Sequence, residues 1–273
     1  MEMRYVRAVM KANLYAFICW MKNNRSFAFF MLFWPYMMAF FLFGLGSILG
    51  SIEEYKVRME IANPILYILA SSSIMVSSIS IIDNVAGELL RHKWIGTLPY
   101  VISSPPRFIV YAIAGPIPAT MLSSFISLSS ILPAALYFEG IIGGIKIFIV
   151  LCYIYLAMIP LIGIAVIVGG LSLVAGEEAN VAGFLTPFIL LVSGVFYPQT
   201  ILPLMLQLIG RCLPLVYVVD ATKLLATYTI PPLNALLTIA GFLIGMSILY
   251  NGVSMPGMFF IEKRILREGV YEE

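Results

Sequence analysis

The feature that most constrains this chain is a series of long apolar segments with almost no charge. A bilayer core is about 30 Å thick, so a helix needs roughly 20 apolar residues to cross it. Six segments qualify, at about residues 26–50, 61–82, 108–132, 147–174, 180–197 and 232–253. The predicted fold is an all-α polytopic membrane protein, with six transmembrane helices in one domain over residues 1–273.

The overall composition excludes several classes of protein. Of the 273 residues, 61% are hydrophobic and 11% are charged, and the mean hydropathy is +1.00. A soluble domain usually carries about 25% charged residues, so a soluble enzyme, a disordered chain and a nucleic-acid binder are all poor fits. Three distant cysteines and one histidine give no disulfide framework and no histidine-based metal site.

The first 22 residues predict a different kind of helix. On a helical wheel of residues 3–22, four cations fall within a wedge of about 60° and an apolar arc lies apart from them. The cations are Arg4, Arg7, Lys11 and Lys22, and the arc holds Val6, Met10, Leu14, Phe17 and Met21. This pattern favours an interfacial helix in the headgroup plane, with its cations toward anionic lipid. The alternative is the cytosolic start of the first span.

The distribution of positive charge predicts the orientation. Six spans place both termini on one side of the membrane. Eleven of the sixteen Lys and Arg residues fall on the side of the termini, and five on the other. Cytoplasmic loops carry the excess of positive charge, so we expect a multi-pass protein of the cell membrane with both termini cytoplasmic.

The spans lack the residues of most membrane enzymes and ion-coupled transporters. Asp83 and Lys146 lie only at span ends, and the chain contains no GxxxxGK[ST] phosphate loop, HExxH or GxSxG motif. We therefore expect no enzymatic activity and no bound cofactor or metal. If the protein carries out energy-dependent work, a separate subunit must supply the energy. Serines in the second and third spans fit either close helix packing or the lining of a pathway.

The segment 84–106, between the second and third spans, carries the densest charge in the middle of the chain. Glu88, Arg91 and His92 are spaced to share one helix face. Gly96 is predicted to end that helix, and Thr97 to cap a short helix over residues 98–103. With an exposed Trp94, this pattern favours a docking element, and the alternative is an ordinary solvated loop.

The segment 198–231 is apolar, but Pro203, Gly210 and Pro214 interrupt it. These breaks predict short re-entrant helices on the external face, which must be buried in protein to satisfy their backbone. A seventh span is the alternative, and Arg211 near the middle of the segment disfavours it.

Two groups of motifs resemble those of type-2 ABC exporter permeases. The first is the run from Gly87 to Leu98 (GELLRHKWIGTL), followed by Ser104 and Pro105, which is similar to the loop after the second span in that family. The second, after the fifth span, comprises Ser193 to Pro198, Leu202-Pro203, Leu213 to Tyr217 and Asp220-Ala221. Six spans, an N-terminal interfacial helix and a short tail also fit the family, so the resemblance covers nearly the whole chain. The order and spacing of the motifs together are more specific than any one motif. Pro99 departs from the pattern, because an acidic residue commonly follows Gly-Thr-Leu in the family.

This resemblance implies a permease subunit of an ATP-driven exporter. Two such chains, identical or paralogous, would form the translocation pathway, and separate ATPase subunits would bind ATP and magnesium. The ATPase-coupling residues would be Glu88, Arg91, His92, Lys93, Trp94, Gly96 and Thr97, with the interfacial helix contributing to the same contact. The external segment would include Pro198, Pro203, Pro214 and Asp220. The substrate class expected is amphipathic: a drug-like molecule, a lipid or a lipid-linked glycan.

Two other functions remain open at this point. One is a membrane scaffold that recruits a soluble partner through Trp94 without transport. The other is a lipid-acting membrane enzyme, for which Glu177, Glu178 and Asn180 are the only candidates. Two glutamates followed by an asparagine more often cap a helix, here the fifth span.

Overall fold

The computed structural model describes residues 2–49, 52–103, 108–175 and 181–268. These residues form eleven α-helices and one 3₁₀ turn, with no strand among them, so the all-α prediction is confirmed. The helices are α1 Glu2–Asn23, α2 Arg25–Leu49, α3 Ile52–Met59, α4 Pro64–Trp94, α5 Leu98–Ser103, α6 Phe108–Ala114, α7 Pro116–Ala175, α8 Val181–Ser193, α9 Leu204–Arg211, α10 Pro214–Thr227 and α11 Leu233–Glu268.

The prediction of apolar helices able to cross a membrane is confirmed, but the predicted number of them is not. Of the described helices, three are long and apolar enough to cross a bilayer, or four if the bent pair α9–α10 counts as one span. The sequence predicted six. The shortfall has two physical causes. One apolar stretch, Val110–Leu173, holds most of both the third and the fourth predicted span, and α8 has only 13 residues.

The stretch that holds two predicted spans is divided by one glycine. At Gly140, φ is 62° and ψ is −148°, a conformation that side-chain-bearing residues rarely adopt. The sequence predicted a loop over residues 133–146, but α7 is helical on both sides of this single residue. At 60 residues, α7 is about three times the length that one crossing needs.

The centre of the fold is the packing of α4 against α7, and the rest of the bundle surrounds this pair. Tyr67, Ile74, Ile81 and Leu89 on α4 are almost completely buried. The helices α2, α8 and α10 also contact α4, whereas α11 contacts mainly α7. As a result, α11 leaves most of its apolar surface exposed, because only 11% of its most apolar 18-residue stretch is buried.

Helix α4 is longer than the predicted second span and continues to Trp94 without a break. Asn63 caps its first turn, since the side-chain oxygen accepts a hydrogen bond from the Leu66 backbone N–H at 3.3 Å, and Pro64 occupies the first turn. The sequence placed the end of this span near Ile82 because charge begins there. Charge ends an apolar run but does not end a helix, so the predicted loop 84–106 begins as a helical extension of α4.

The serine-rich faces of α4 and α7 are used for packing. Ser73 and Ser127 share a hydrogen bond of 2.9 Å between the two helices. Other buried serines donate to the carbonyl one turn earlier in their own helix, as Ser77 does to Ser73 and Ser124 to Thr120. Of the two alternatives left open by the sequence, this arrangement favours packing over a pathway lining.

The segment that the sequence predicts to be external consists of a 3₁₀ turn, Gln199–Ile201, followed by α9 and α10, which meet at 91°. Each of its three predicted prolines starts an element. Pro198 precedes the 3₁₀ turn, Pro203 precedes α9, and Pro214 is in the first turn of α10. Such a bend is the geometry of a broken span or a re-entrant loop. Asp220 is exposed on α10.

Candidate functional site

The candidate site begins at the end of α4 that carries the predicted coupling residues. The Glu88 carboxylate oxygen Oε1 accepts a hydrogen bond of 2.7 Å from Arg91. The same oxygen accepts a bond of 3.1 Å from the Tyr111 hydroxyl on α6, and it lies 3.5 Å from His92 Nε2. The predicted shared face of Glu88, Arg91 and His92 is therefore present, and one carboxylate joins it to α6.

Gly96 ends α4 by the geometry that the sequence predicts. With φ at 72°, it allows a Schellman turn, in which the Gly96 N–H donates to the Lys93 carbonyl and the Thr97 N–H to the His92 carbonyl. The Thr97 carbonyl then accepts the first bonds of α5, from Tyr100 and from the residue after it. The short helix α5 therefore follows directly from the end of the long helix α4.

Helix α5 is anchored on the bundle from both sides. Leu98 and Ile102 are buried in the core. On the opposite side of the break, His92 Nδ1 lies 2.8 Å from the Thr97 hydroxyl oxygen, and His92 Nε2 lies 3.3 Å from the Tyr111 hydroxyl. The imidazole therefore connects α4, α5 and α6.

Lys93 points to a different helix. Its ammonium donates to the Leu173 carbonyl in the last turn of α7, at 3.4 Å. A cation at a helix C-terminus is favourable because the unpaired carbonyls there carry partial negative charge. Lys93 thus ties the end of α4 to the end of α7.

Three large side chains project from this anchored corner. Trp94 is 63% exposed, Ile95 64% and Tyr100 77%. They lie beyond the apolar part of α4, where its charged segment ends. An apolar and aromatic surface held on short, well-anchored helices is typical of a protein docking site. We call Trp94, Ile95 and Tyr100 the docking surface.

The amphipathic helix α1 lies on the same side of the fold, where it contacts α6 and the start of α7. A side chain at Gly115 would place its Cβ 3.3 Å from the Asn13 amide nitrogen, so the two helices approach closely. All four predicted cations, Arg4, Arg7, Lys11 and Lys22, are exposed. The predicted apolar arc of α1 is half-buried.

Sequence reasoning missed Tyr111 and assigned Glu88 a different role. Tyr111 lies inside the predicted third span. The sequence distinguished it only by its polar hydroxyl near the predicted cytoplasmic end of that span. Glu88 and Arg91 were expected to pair with a partner protein. In the folded chain the Glu88 side chain is only 16% exposed and pairs with Arg91 itself, whereas Arg91 is 54% exposed. Arg91 is therefore the accessible charge of the two.

A second polar cluster lies at the opposite end of the bundle. Lys146 and Glu139 form an ion pair of 2.7 Å, with side chains 11% and 18% exposed, across the break at Gly140. The Asn63 amide donates to the other Glu139 oxygen at 3.2 Å. This cluster joins the start of α4 to the turn of α7.

Tyrosines near the same end bind the turn that follows α8, just before the segment 198–231. The Tyr55 hydroxyl donates to the Phe196 carbonyl at 3.1 Å, and the Tyr67 hydroxyl to the Val195 carbonyl at 2.9 Å. Burial raises the pKa of the Tyr55 hydroxyl well above its usual value. Tyr55 therefore stays a neutral donor at physiological pH.

Some predicted residues lie outside the described part of the chain. These are Ser104, Pro105 and Pro106 of the loop, and Glu177, Glu178 and Asn180 of the enzyme alternative. Among the described residues, no group of three or more His, Cys, Asp or Glu side chains could hold a metal ion.

Comparisons with protein-family models and with curated proteins find no match to this chain.

Proposed function

We propose that this chain is the membrane-spanning permease subunit of an ATP-driven exporter, and that its docking surface binds a separate ATPase subunit. The observation that carries the proposal is the exposure of Trp94, Ile95 and Tyr100 on a corner that hydrogen bonds and buried side chains fix in place. An ordinary solvated loop does not require hydrogen bonds and buried side chains to fix its position. Here the exposed aromatic residues are held by both α4 and α5.

The anchoring also suits a mechanical role. Helix α4 is continuous from the external Asn63 cap to Trp94, a length of about 46 Å at 1.5 Å per residue. Lys93 and His92 join its end to α7, α5 and α6. A force applied by an ATPase at the docking surface would therefore reach the external end of α4 through one rigid helix.

The six-span topology forms part of the proposal. In it, α2, α4, α8 and α11 each cross once, and α7 crosses twice, with its turn at Gly140 on the external side. The N-terminal half of α7 crosses together with α6, and the bent pair α9–α10 enters from outside without crossing. Both termini are then cytoplasmic, so the docking surface and α1 face the cytoplasm, where ATP is available.

The partners follow from this arrangement. ATPase subunits would supply ATP and magnesium binding, since the chain has no phosphate loop. A second permease chain, identical or paralogous, would complete the pathway. The exposed cations of α1 suit anionic membrane lipids. The substrate class that we propose is amphipathic: a drug-like molecule, a lipid or a lipid-linked glycan.

The test is co-purification of the tagged chain from its native membrane, with identification of ATP-hydrolysing partners by mass spectrometry. We expect Trp94→Ala to reduce recovery of the ATPase at least tenfold, because central interface aromatics often contribute about 2 kcal/mol or more. Arg91→Glu should also weaken recovery, through charge reversal. A matched control is Tyr228→Ala, which removes an exposed aromatic at the opposite end of the bundle.

The same measurement separates the alternatives. A scaffold would bind a partner through Trp94 that hydrolyses no nucleotide and would show no ATP-dependent transport in vesicles. Wild-type recovery of the ATPase by both variants, at matched expression, would contradict the proposed docking surface.

A further inference from the structure

One face of α4 carries polar groups outside the docking surface. Asp83 and Asn84, and Gly87 about one turn further along the helix, are exposed on this face, whereas their neighbours Ile82, Val85 and Ala86 are buried. The exposed groups therefore point out of the protein between the helices that flank α4.

The two sides of this face are defined by hydrogen bonds. The Thr186 hydroxyl on α8 donates to Asp83 Oδ1 at 3.1 Å. The Asn84 amide donates to the Thr120 hydroxyl on α7 at 3.3 Å. Between them, a Cβ added at Gly87 would meet no heavy atom within 4 Å. The result is a polar strip, Asp83–Gly87, with α8 on one side, α7 on the other and open space above it.

Among the residues that the structure describes, no cation pairs with the carboxylate on this strip. Within the described ranges, Thr186 is the hydrogen-bond partner of Asp83, and no Lys, Arg or His forms an ion pair with it. The contrast is Glu139, whose charge is paired with Lys146. An ionised side chain exposed to lipid is costly, and such residues usually face a cavity or a substrate path.

The position of Asp83 along α4 determines which ligand fits. It lies 19 residues after Pro64, about 28 Å along the helix axis. The hydrocarbon core is about 30 Å thick, so in the proposed topology Asp83 is at the cytoplasmic edge of the core. An amphipathic cation places its charge at this depth and its apolar body deeper in the bilayer.

From the open strip and its unpaired carboxylate, we infer that Asp83 and the strip beside it form a binding site for amphipathic organic cations from the cytoplasmic leaflet. The inference rests on the proposed function, since it names the substrate class of the exporter. The carboxylate supplies the charge preference, Thr186 fixes its orientation, and the missing side chain at Gly87 leaves room for the ligand.

The experiment measures equilibrium binding of radiolabelled tetraphenylphosphonium to the purified chain in nanodiscs of zwitterionic lipid. Tetraphenylborate, an anion of the same shape, is the matched ligand. We expect saturable binding of the cation, and binding at least tenfold weaker in Asp83→Asn, which keeps the size of the side chain and an oxygen for Thr186. Asp83→Glu should retain binding, and Gly87→Leu should weaken it by filling the strip.

The control variant is Glu53→Gln, which removes one exposed negative charge on α3 and should leave binding unchanged. Equal binding by wild type and Asp83→Asn, equal binding of cation and anion, or no saturable binding would overturn the inference. A change in self-association without a change in cation binding would also overturn it and assign the strip to a second copy of the chain. This binding experiment contains no ATPase. A negative result for the cation site would therefore leave the proposed ATPase recruitment through Trp94 unaffected, and a failure of ATPase recruitment would leave the cation site unaffected.

Discussion

His92 Nδ1 lies 2.8 Å from the hydroxyl oxygen of Thr97, across the break between α4 and α5. The two residues are five positions apart, on either side of the left-handed Gly96. The same imidazole reaches the Tyr111 hydroxyl on α6 with its other nitrogen. The orientation of the docking surface therefore depends on this contact as well as on the buried side chains of α5.

Removal of the Thr97 hydroxyl tests this dependence. In Thr97→Val the side chain keeps its shape but loses the contact with His92, so α5 should be less firmly held. One hydrogen bond contributes about 1 kcal/mol, so we expect amide hydrogen exchange in α5 to increase roughly fivefold. Recovery of the ATPase by co-purification should fall in the same variant.

The control for this variant is Thr238→Val, whose hydroxyl bonds only the Asn234 carbonyl of its own helix. Unchanged hydrogen exchange in α5 of Thr97→Val would show that Leu98 and Ile102 alone hold it.

The contact between α7 and α11 gives a prediction about stability. A Cβ at Gly163 would lie 2.8 Å from the Tyr250 carbonyl carbon, whereas a Cβ at Gly241 would meet nothing within 4 Å. Gly163→Ala should therefore destabilise the protein by about 1–3 kcal/mol through overpacking. Gly241→Ala should be neutral or stabilising by up to about 1 kcal/mol, because alanine favours the helix.

Thermal unfolding in detergent measures this pair of variants. Equal melting temperatures for the two would contradict the close approach of α7 and α11.

The buried ion pair beside Gly140 gives a third prediction. Lys146→Met leaves the Glu139 carboxylate without its cation in a mostly buried position. Removal of one partner from a buried pair costs roughly 3–5 kcal/mol. We expect a large fall in thermal stability, and partial recovery in the double variant Lys146→Met, Glu139→Gln, because both charges are then absent.

Lys56→Met is the control, since Lys56 is exposed on α3 and its loss should have little effect. A double variant no more stable than Lys146→Met alone would show that the charge of Glu139 is not what destabilises the single variant.

The proposed orientation predicts which residues an impermeant thiol reagent can reach. The chain has three free cysteines, Cys19, Cys152 and Cys212, which are first replaced by serine. A cysteine introduced at Lys56, exposed on α3, should label in intact cells. One introduced at Lys22, exposed on α1, should label only after permeabilisation. Labelling of the Lys22 position from outside would contradict the cytoplasmic N-terminus.

The sequence predicted the local features of the candidate site well. Glycine at position 96 marks the break because few other residues adopt a positive φ, and the spacing of Glu88, Arg91 and His92 places them on one face of any helix. Trp94 was expected to be exposed because it lies beyond the apolar run, and it is.

The features that sequence reasoning missed depend on contacts between distant segments. Tyr111 meets Glu88 only because α6 packs beside α4, and neither local pattern indicates that pairing. The sequence predicted a helix through Glu88, Arg91 and His92, but as a separate element of the loop. Its continuity with the second span was missed because the span was ended where the apolar run stops. The sequence could not predict that the break in α7 is limited to Gly140. Glu139 and Lys146 look like charged residues of a loop unless their ion pair is known.

The central claim is that Trp94 contacts an ATPase. The most direct test replaces Trp94 with a photo-crosslinking phenylalanine analogue and irradiates native membranes of the source cells, with the same replacement at Tyr228 as control. We expect a crosslink from position 94 to a protein whose tryptic peptides contain a phosphate-loop sequence, and none to that protein from position 228. A crosslink from position 94 to lipid alone, or to a partner that does not bind ATP, would contradict the claim.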